Sequence, residues 1–168
     1  MADERGRHSV HQKLEQFRAA EAWRAAKKAK EKFPNTYKEY ISLVKKLPAL
    51  ISTNGLGQTL AFLAAKGGTQ NGKIDDGKPD GLLYRQLEAW LTRPEQKENG
   101  AEQREPYHSP YGRFLQECGA DREVAPLLCC IGKSNSTVYR RATREAIAFA
   151  SWLRSFADAL SEQSKGSK

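Results

Sequence analysis

The stretch Tyr139-Arg140-Arg141-Ala142-Thr143-Arg144-Glu145-Ala146-Ile147-Ala148-Phe149-Ala150-Ser151-Trp152-Leu153-Arg154-Ser155-Phe156-Ala157-Asp158-Ala159-Leu160 decides the fold class. Ala142, Ala146, Phe149, Leu153, Phe156 and Leu160 recur at steps of four and three. That spacing places them on one side of an α-helix of about five turns. Neither Gly nor Pro interrupts the run. A helix with a single apolar stripe must bury it against other elements.

Working outward, the partners also read as helices. From about Ser9 to Phe33 the chain is dense in Ala, Leu, Glu, Gln, Lys and Arg, the composition of a long helix. Ala19, Ala22, Ala26 and Ala29 give it a small face that another helix can approach closely, with Trp23 and Phe33 flanking. Pro34-Asn35-Thr36 ends this element. A second helix follows from Tyr37 to about Thr53, with Tyr40, Leu43, Val44, Leu47, Leu50 and Ile51 in helical register and Pro48 predicted to kink it. Asn54-Gly55-Leu56-Gly57 reads as a stop followed at once by a new start, and the third helix runs from Leu56 to Lys66.

Gly67 to Gly81 reads as a loop, with turn pairs at Asn71-Gly72 and Asp76-Gly77 and a breaker at Pro79-Asp80-Gly81. Leu82 to Leu91 is again helical, whereas Arg93 to Pro110 is too polar to bury. A short helix is expected over Tyr111 to Cys118, and a buried one over Val124 to Ile131, ended by Gly132. No segment alternates with the period of a strand. The expectation is an all-α, single-domain bundle of about six helices over residues 1–168, with mobile loops at 67–81 and 93–110 and a flexible tail at 161–168.

The length of 168 residues suits one hydrophobic core. Lys and Arg number 28 against 20 Asp and Glu, a net charge of +8, which favours a polyanionic partner or an anionic membrane surface. No run approaches the roughly 20 apolar residues of a membrane span. The first residues hold no apolar stretch that could form a secretory signal, so a cytoplasmic location is expected. Cys118, Cys129 and Cys130 have no C-x-x-C spacing and read as structural thiols.

The positive charge is unevenly spread. Residues 1–66 carry 13 basic and 6 acidic side chains, 67–110 carry 6 and 8, and 111–168 carry 9 and 6. The first and last helices are thus the expected basic surface. Arg140 and Arg144 lie one turn apart with Arg141 beside them, facing away from the apolar stripe; Lys45-Lys46 form a second cluster. Three guanidinium groups so placed repel one another, a strain an anionic partner relieves, and Arg grips phosphate with two parallel hydrogen bonds. Against this stands the ordinary reading of a charge run as the wet face of a helix, with Glu145 adjacent to offset it.

Catalytic patterns fail one by one. His8, His11 and Glu15 have a spacing compatible with a metal but no orienting carboxylate. Gly132-Lys133-Ser134 has Leu127 where a phosphate-binding loop needs glycine. What survives there is a helix cap by Ser134 or Ser136, whose amides with Lys133 would meet a phosphate. Asp75, Asp76 and Asp80 lack the alternating oxygen ligands of a calcium loop, and His108 has no nucleophile beside it. No catalytic residue, metal or cofactor is expected.

The run Tyr37-Lys38-Glu39-Tyr40-Ile41-Ser42-Leu43-Val44-Lys45-Lys46-Leu47-Pro48-Ala49-Leu50-Ile51, followed by Thr53-Asn54-Gly55-Leu56-Gly57-Gln58-Thr59-Leu60-Ala61-Phe62-Leu63, resembles the small subunit of type III-B CRISPR effectors, the Cmr complexes. So do Leu14-Glu15-Gln16-Phe17-Arg18-Ala19-Ala20 with Ala22-Trp23, and Tyr139 to Ala146 with Phe149, Trp152 and Leu153. The resemblance covers the helices but not 67–81 or 93–110. It implies a non-catalytic, all-helical subunit stacked in several copies beside the subunits that hold guide RNA, lining a channel for target RNA. Its partners would be the other effector subunits, copies of itself, guide RNA and target RNA.

A lining of this kind needs a basic track that follows phosphates without reading bases. Lys45, Lys46, Arg140, Arg141 and Arg144 are the expected track, with Lys27 and Lys28 second. Trp23, Trp90 and Trp152 lie in apolar patterns and are expected in the core rather than against bases. Leu56, exposed at its glycine turn, is a candidate contact between copies. The alternatives are an autonomous nucleic-acid-binding helical module and a protein-interaction adaptor.

Overall fold

The computed structural model describes residues 10–69, 71–92 and 126–162. Within them lie α1 (Val10–Lys32), α2 (Tyr37–Asn54), α3 (Leu56–Gly67), α4 (Pro79–Thr92), α5 (Pro126–Lys133) and α6 (Ser136–Glu162). The fold is an all-α single domain, as the periodicities require. The expected helix at 111–118, the loop 93–110 and most of the tail 161–168 lie outside the described residues.

Asn135 caps α6: its Oδ1 accepts the Val138 N–H at 2.9 Å and its carbonyl accepts from Tyr139 at 3.0 Å. The stripe then points inward, with Ala142, Ala146, Phe149, Ala150, Leu153, Ala157 and Leu160 all buried. α1 lies beside it in the same direction, since Arg18 meets Glu145 and the Lys30 ammonium donates to the Leu160 carbonyl. Ala22, Ala26 and Ala29 are fully buried, so the small face does bring a helix close. α2 runs the opposite way: the Tyr37 hydroxyl donates to the Ala157 carbonyl, while the Gly57 amide beyond its far end donates to the Tyr139 hydroxyl.

α2 continues through Pro48. Between α2 and α3, Gly55 has φ +85°, a left-handed backbone that a side chain would strain. Leu56, Leu60 and Leu63 of α3 are fully buried under α4 and α5. Leu56 is therefore no exposed contact point. The turn that starts α3 directs it inward, which adjacency to two glycines did not reveal.

α4 begins at Pro79, three residues before the expected start. Pro has no N–H to leave unpaired at a first helical position, and Asp80 sits in the first turn, where a negative charge is favoured. The connection from α3 is closed by Asp75 N–H to Gly67 O at 2.8 Å and Thr69 N–H to Lys73 O at 2.7 Å, with Gly72 at φ +74° and Ile74 buried. Gly67 and Gly81 allow α3 and α4 to meet backbone to backbone: a Cβ on Gly81 would stand 1.9 Å from the Asp75 carbonyl oxygen.

Candidate nucleic-acid interface

α6 turns by about 100° per residue, so Arg140, Arg144, Ser151 and Asp158 fall within about 40° of one another on its solvent side. Arg140, Arg141 and Arg144 are all exposed. The Arg140 Nε donates to the Ser136 carbonyl at 3.2 Å, while Arg141 and Arg144 have no acidic partner among the described residues. Arg154 extends this face. It is exposed, and its place fourteen residues after Arg140, close to four whole turns, was the sequence signal that could have found it.

Glu145 does not offset these arginines. It is buried on the other side of α6, where its Oε1 and Oε2 accept from the Arg18 Nε at 2.7 Å and Nη2 at 2.9 Å. Its Oε1 also accepts from the Trp90 indole at 3.0 Å. Arg18 further donates to Glu15, which in turn accepts from the Trp152 indole at 2.6 Å. Two tryptophans, two carboxylates and one guanidinium thus form a polar chain between α1, α4 and α6, and the apparent neighbour of Arg144 is spent inside it.

The two lysine clusters sit differently. Lys45 is exposed but forms an ion pair with Asp158 at 2.8 Å. That places it beside the last part of α6, about 21 Å along the helix from Arg144 by the α-helical rise. Lys46 is exposed with no acidic partner among the described residues. Lys45 is therefore partly neutralised and set well apart from the three arginines along the length of α6.

Lys27 and Lys28 are exposed on α1, the helix that packs along α6. Lys28 turns towards α4, where it lines a cleft of about 320 Å³ with Arg24, Arg85, Gln86, Trp90 and Asp76. The cations there are largely answered from within. Arg24 pairs with Glu21, Arg85 with Glu88 and Lys32 with Asp76. The hydrogen bond from Lys32 leads the causes that hold the Asp76 carboxyl below its ordinary range, with the charges of Lys28 and Arg85 adding to it.

The tryptophans separate into two kinds. Trp90 is core, stacked on Phe149 with ring centres 5.2 Å apart. Trp23 is 37% exposed, which corrects its expected core placement; it meets Phe156 edge-on at 5.3 Å, and Phe156 stacks on the half-buried Trp152. The cap expected from Ser134 or Ser136 is supplied by Asn135, while the Ser134 hydroxyl donates back to Ile131. Among the described residues no three His, Cys, Asp or Glu side chains gather as metal ligands, and no helix is long and apolar enough to cross a membrane.

A family model described as CRISPR-associated protein (Cas_Cmr5) matches residues 14–160, from the first turns of α1 to the end of the α6 stripe. The chain belongs to this family, a Cmr subunit family of type III-B CRISPR effectors. The matched range encloses 67–81 and 93–110, the two stretches for which the sequence offered no resemblance.

Proposed function

We propose that this Cmr chain is a non-catalytic structural subunit of a cytoplasmic type III-B ribonucleoprotein acting in antiviral defence. Several copies stack along the guide-RNA backbone, and each lines the target-RNA channel with Arg140, Arg141, Arg144, Lys45 and Lys46, flanked by Lys27 and Lys28. It needs no cofactor. The carrying observation is the solvent strip of α6, whose Arg141 and Arg144 keep no acidic partner among the described residues because Glu145 is turned into the core. Cations so arranged hold phosphates through counterion release and carry no base sequence, as a channel for arbitrary targets requires.

A contact with protein is also needed, and α3 supports one. Phe62 is 41% exposed there, with Ala61 and Ala65 exposed beside it. This patch replaces Leu56 as the proposed contact with copies or neighbouring subunits, while α6 faces RNA.

The test is target-RNA binding by the guide-loaded complex, assembled with the wild-type subunit, without it, or with the Arg140→Ala/Arg141→Ala/Arg144→Ala variant, across a salt series. Omission is expected to weaken binding. The variant is expected to flatten the slope of log affinity against log salt by about 2, near 0.7 for each of three lost single-strand contacts. Unchanged binding in both cases leaves an adaptor held by protein contacts alone.

A further inference from the structure

The groove between α1 and α6 carries a feature that phosphate binding leaves unused. Trp23 stands at its edge, 37% exposed, its ring nearly perpendicular to that of Phe156 at 5.3 Å, with Trp152 stacked on Phe156 at 5.4 Å. The indole N–H of Trp152 is committed to Glu15, which fixes that ring in place. On the α6 side Ser155 and Ala159 are exposed, short side chains next to Trp152 and Phe156 along the helix, so nothing bulky from α6 rises beside the aromatic edge. On the α1 side Lys27 follows Trp23 by one turn, about 40° around the helix, exposed and without an acidic partner among the described residues.

An exposed aromatic ring held by other rings, with an unneutralised cation one turn away, suits a ligand that offers flat π faces and negative charge together. Single-stranded RNA does so at every nucleotide, and stacking is tolerant of sequence because each base has a face. A protein partner would be served by the apolar ring, but Lys27 beside it, with no acidic partner among the described residues, favours the anion. We infer that Trp23 is a stacking platform for an unpaired RNA base, with Lys27 holding the adjoining phosphate. This rests on the channel reading and adds base contact on α1 to backbone contact on α6.

The experiment uses the full-length chain and two probes at low salt: a fluorescent oligouridylate and an abasic oligonucleotide of the same length. Trp23→Ala is expected to weaken oligouridylate binding about tenfold and leave the abasic probe and the salt slope unchanged; Trp23→Phe restores most of the affinity. Lys27→Ala is expected to weaken both probes and flatten the salt slope by about 0.7. Oligouridylate should quench tryptophan emission in the wild type, and most of that quenching should vanish in Trp23→Phe. Equal weakening of both probes by Trp23→Ala, or no change in either, overturns the stacking site while leaving the arginine strip intact. Trp23→Ala that binds both probes normally but no longer enters the effector complex also overturns it, and assigns the ring to a protein contact. Failure of the wild-type chain to retain oligouridylate overturns it as well, and the channel reading then stands or falls on the assembled complex.

Discussion

Replacing Glu145 with Ala removes the acceptor at the centre of the fold. Its carboxylate takes the Arg18 Nε at 2.7 Å, the Arg18 Nη2 at 2.9 Å and the Trp90 indole at 3.0 Å, and the two charged side chains retain only 8% and 10% of their exposure. After truncation the buried Arg18 guanidinium loses the carboxylate that takes its Nε and Nη2, while keeping Glu15 among its partners, and the Trp90 N–H loses the Glu145 acceptor. Breaking a buried pair from one side costs about 3–5 kcal/mol, more than the pair itself contributes, because a charge is left uncompensated. For a chain of this length that corresponds to a Tm lower by about 6–20 °C.

The sharper expectation concerns the double variant Arg18→Met/Glu145→Leu. It removes both buried charges, and Glu15, whose side chain is 42% exposed, can be solvated instead. Most of the lost stability should return, to within about 2 kcal/mol of the wild type. Urea unfolding of the full-length chain followed by far-ultraviolet circular dichroism compares wild type, Arg18→Met, Glu145→Leu and the double variant as the four corners of the cycle, with Glu145→Ala measured beside them. A loss below about 1 kcal/mol for Glu145→Ala, or a double variant less stable than the single, would refute the account of Glu145 as a fully engaged buried partner.

Gly81→Ala puts a Cβ 1.9 Å from the Asp75 carbonyl oxygen, so it should cost about 3 kcal/mol or more, whereas Gly132→Ala meets nothing within 4 Å and should gain up to about 1 kcal/mol from helix propensity; urea midpoints compare the two. Burial, and then the Asp158 charge, push the Tyr37 phenol up to about 12, and burial raises Tyr40 and Tyr84 further. The folded chain therefore keeps protons that the unfolded chain releases near pH 10, so this stability is present below about pH 10 and is lost as pH rises towards 12. In an alkaline titration these three phenolates should appear only with loss of the helical signal, and their appearance in a still-folded chain contradicts the burial argument. Asp158→Asn frees Lys45 from its ion pair, so target-RNA binding by the complex should tighten and its salt slope steepen by about 0.7; an unchanged slope removes Lys45 from the track.

The helices were legible because their signals are local. The four-and-three spacing of Ala142 to Leu160 and the small face of Ala22, Ala26 and Ala29 both describe which side of one helix is apolar, and both sides are buried. The start of α4 was misread for an equally local reason: Pro79-Asp80-Gly81 has the composition of a turn and also of a helix N-terminus, and close packing against Gly67 selects the second. The candidate site was legible as a list of cations and illegible as a surface. Spacing turns Arg144 away from the apolar stripe and sets Arg18 one turn before Ala22 on the small face, but nothing in the order of residues names the glutamate, more than a hundred positions away, that Arg18 is buried against.

By itself the sequence determined the all-α fold, the approximate helix boundaries, the basic character of the first and last helices and the family. All of these depend on residue type and short-range periodicity, which a chain carries whether or not it is folded. The tertiary structure alone decided that α1 and α6 lie side by side, that Glu145 leaves the arginine strip for the core, that Lys45 is held by Asp158, and that Trp90 is buried while Trp23 is not. Those outcomes depend on which helix covers which face, and the partners that settle them come from opposite ends of the chain.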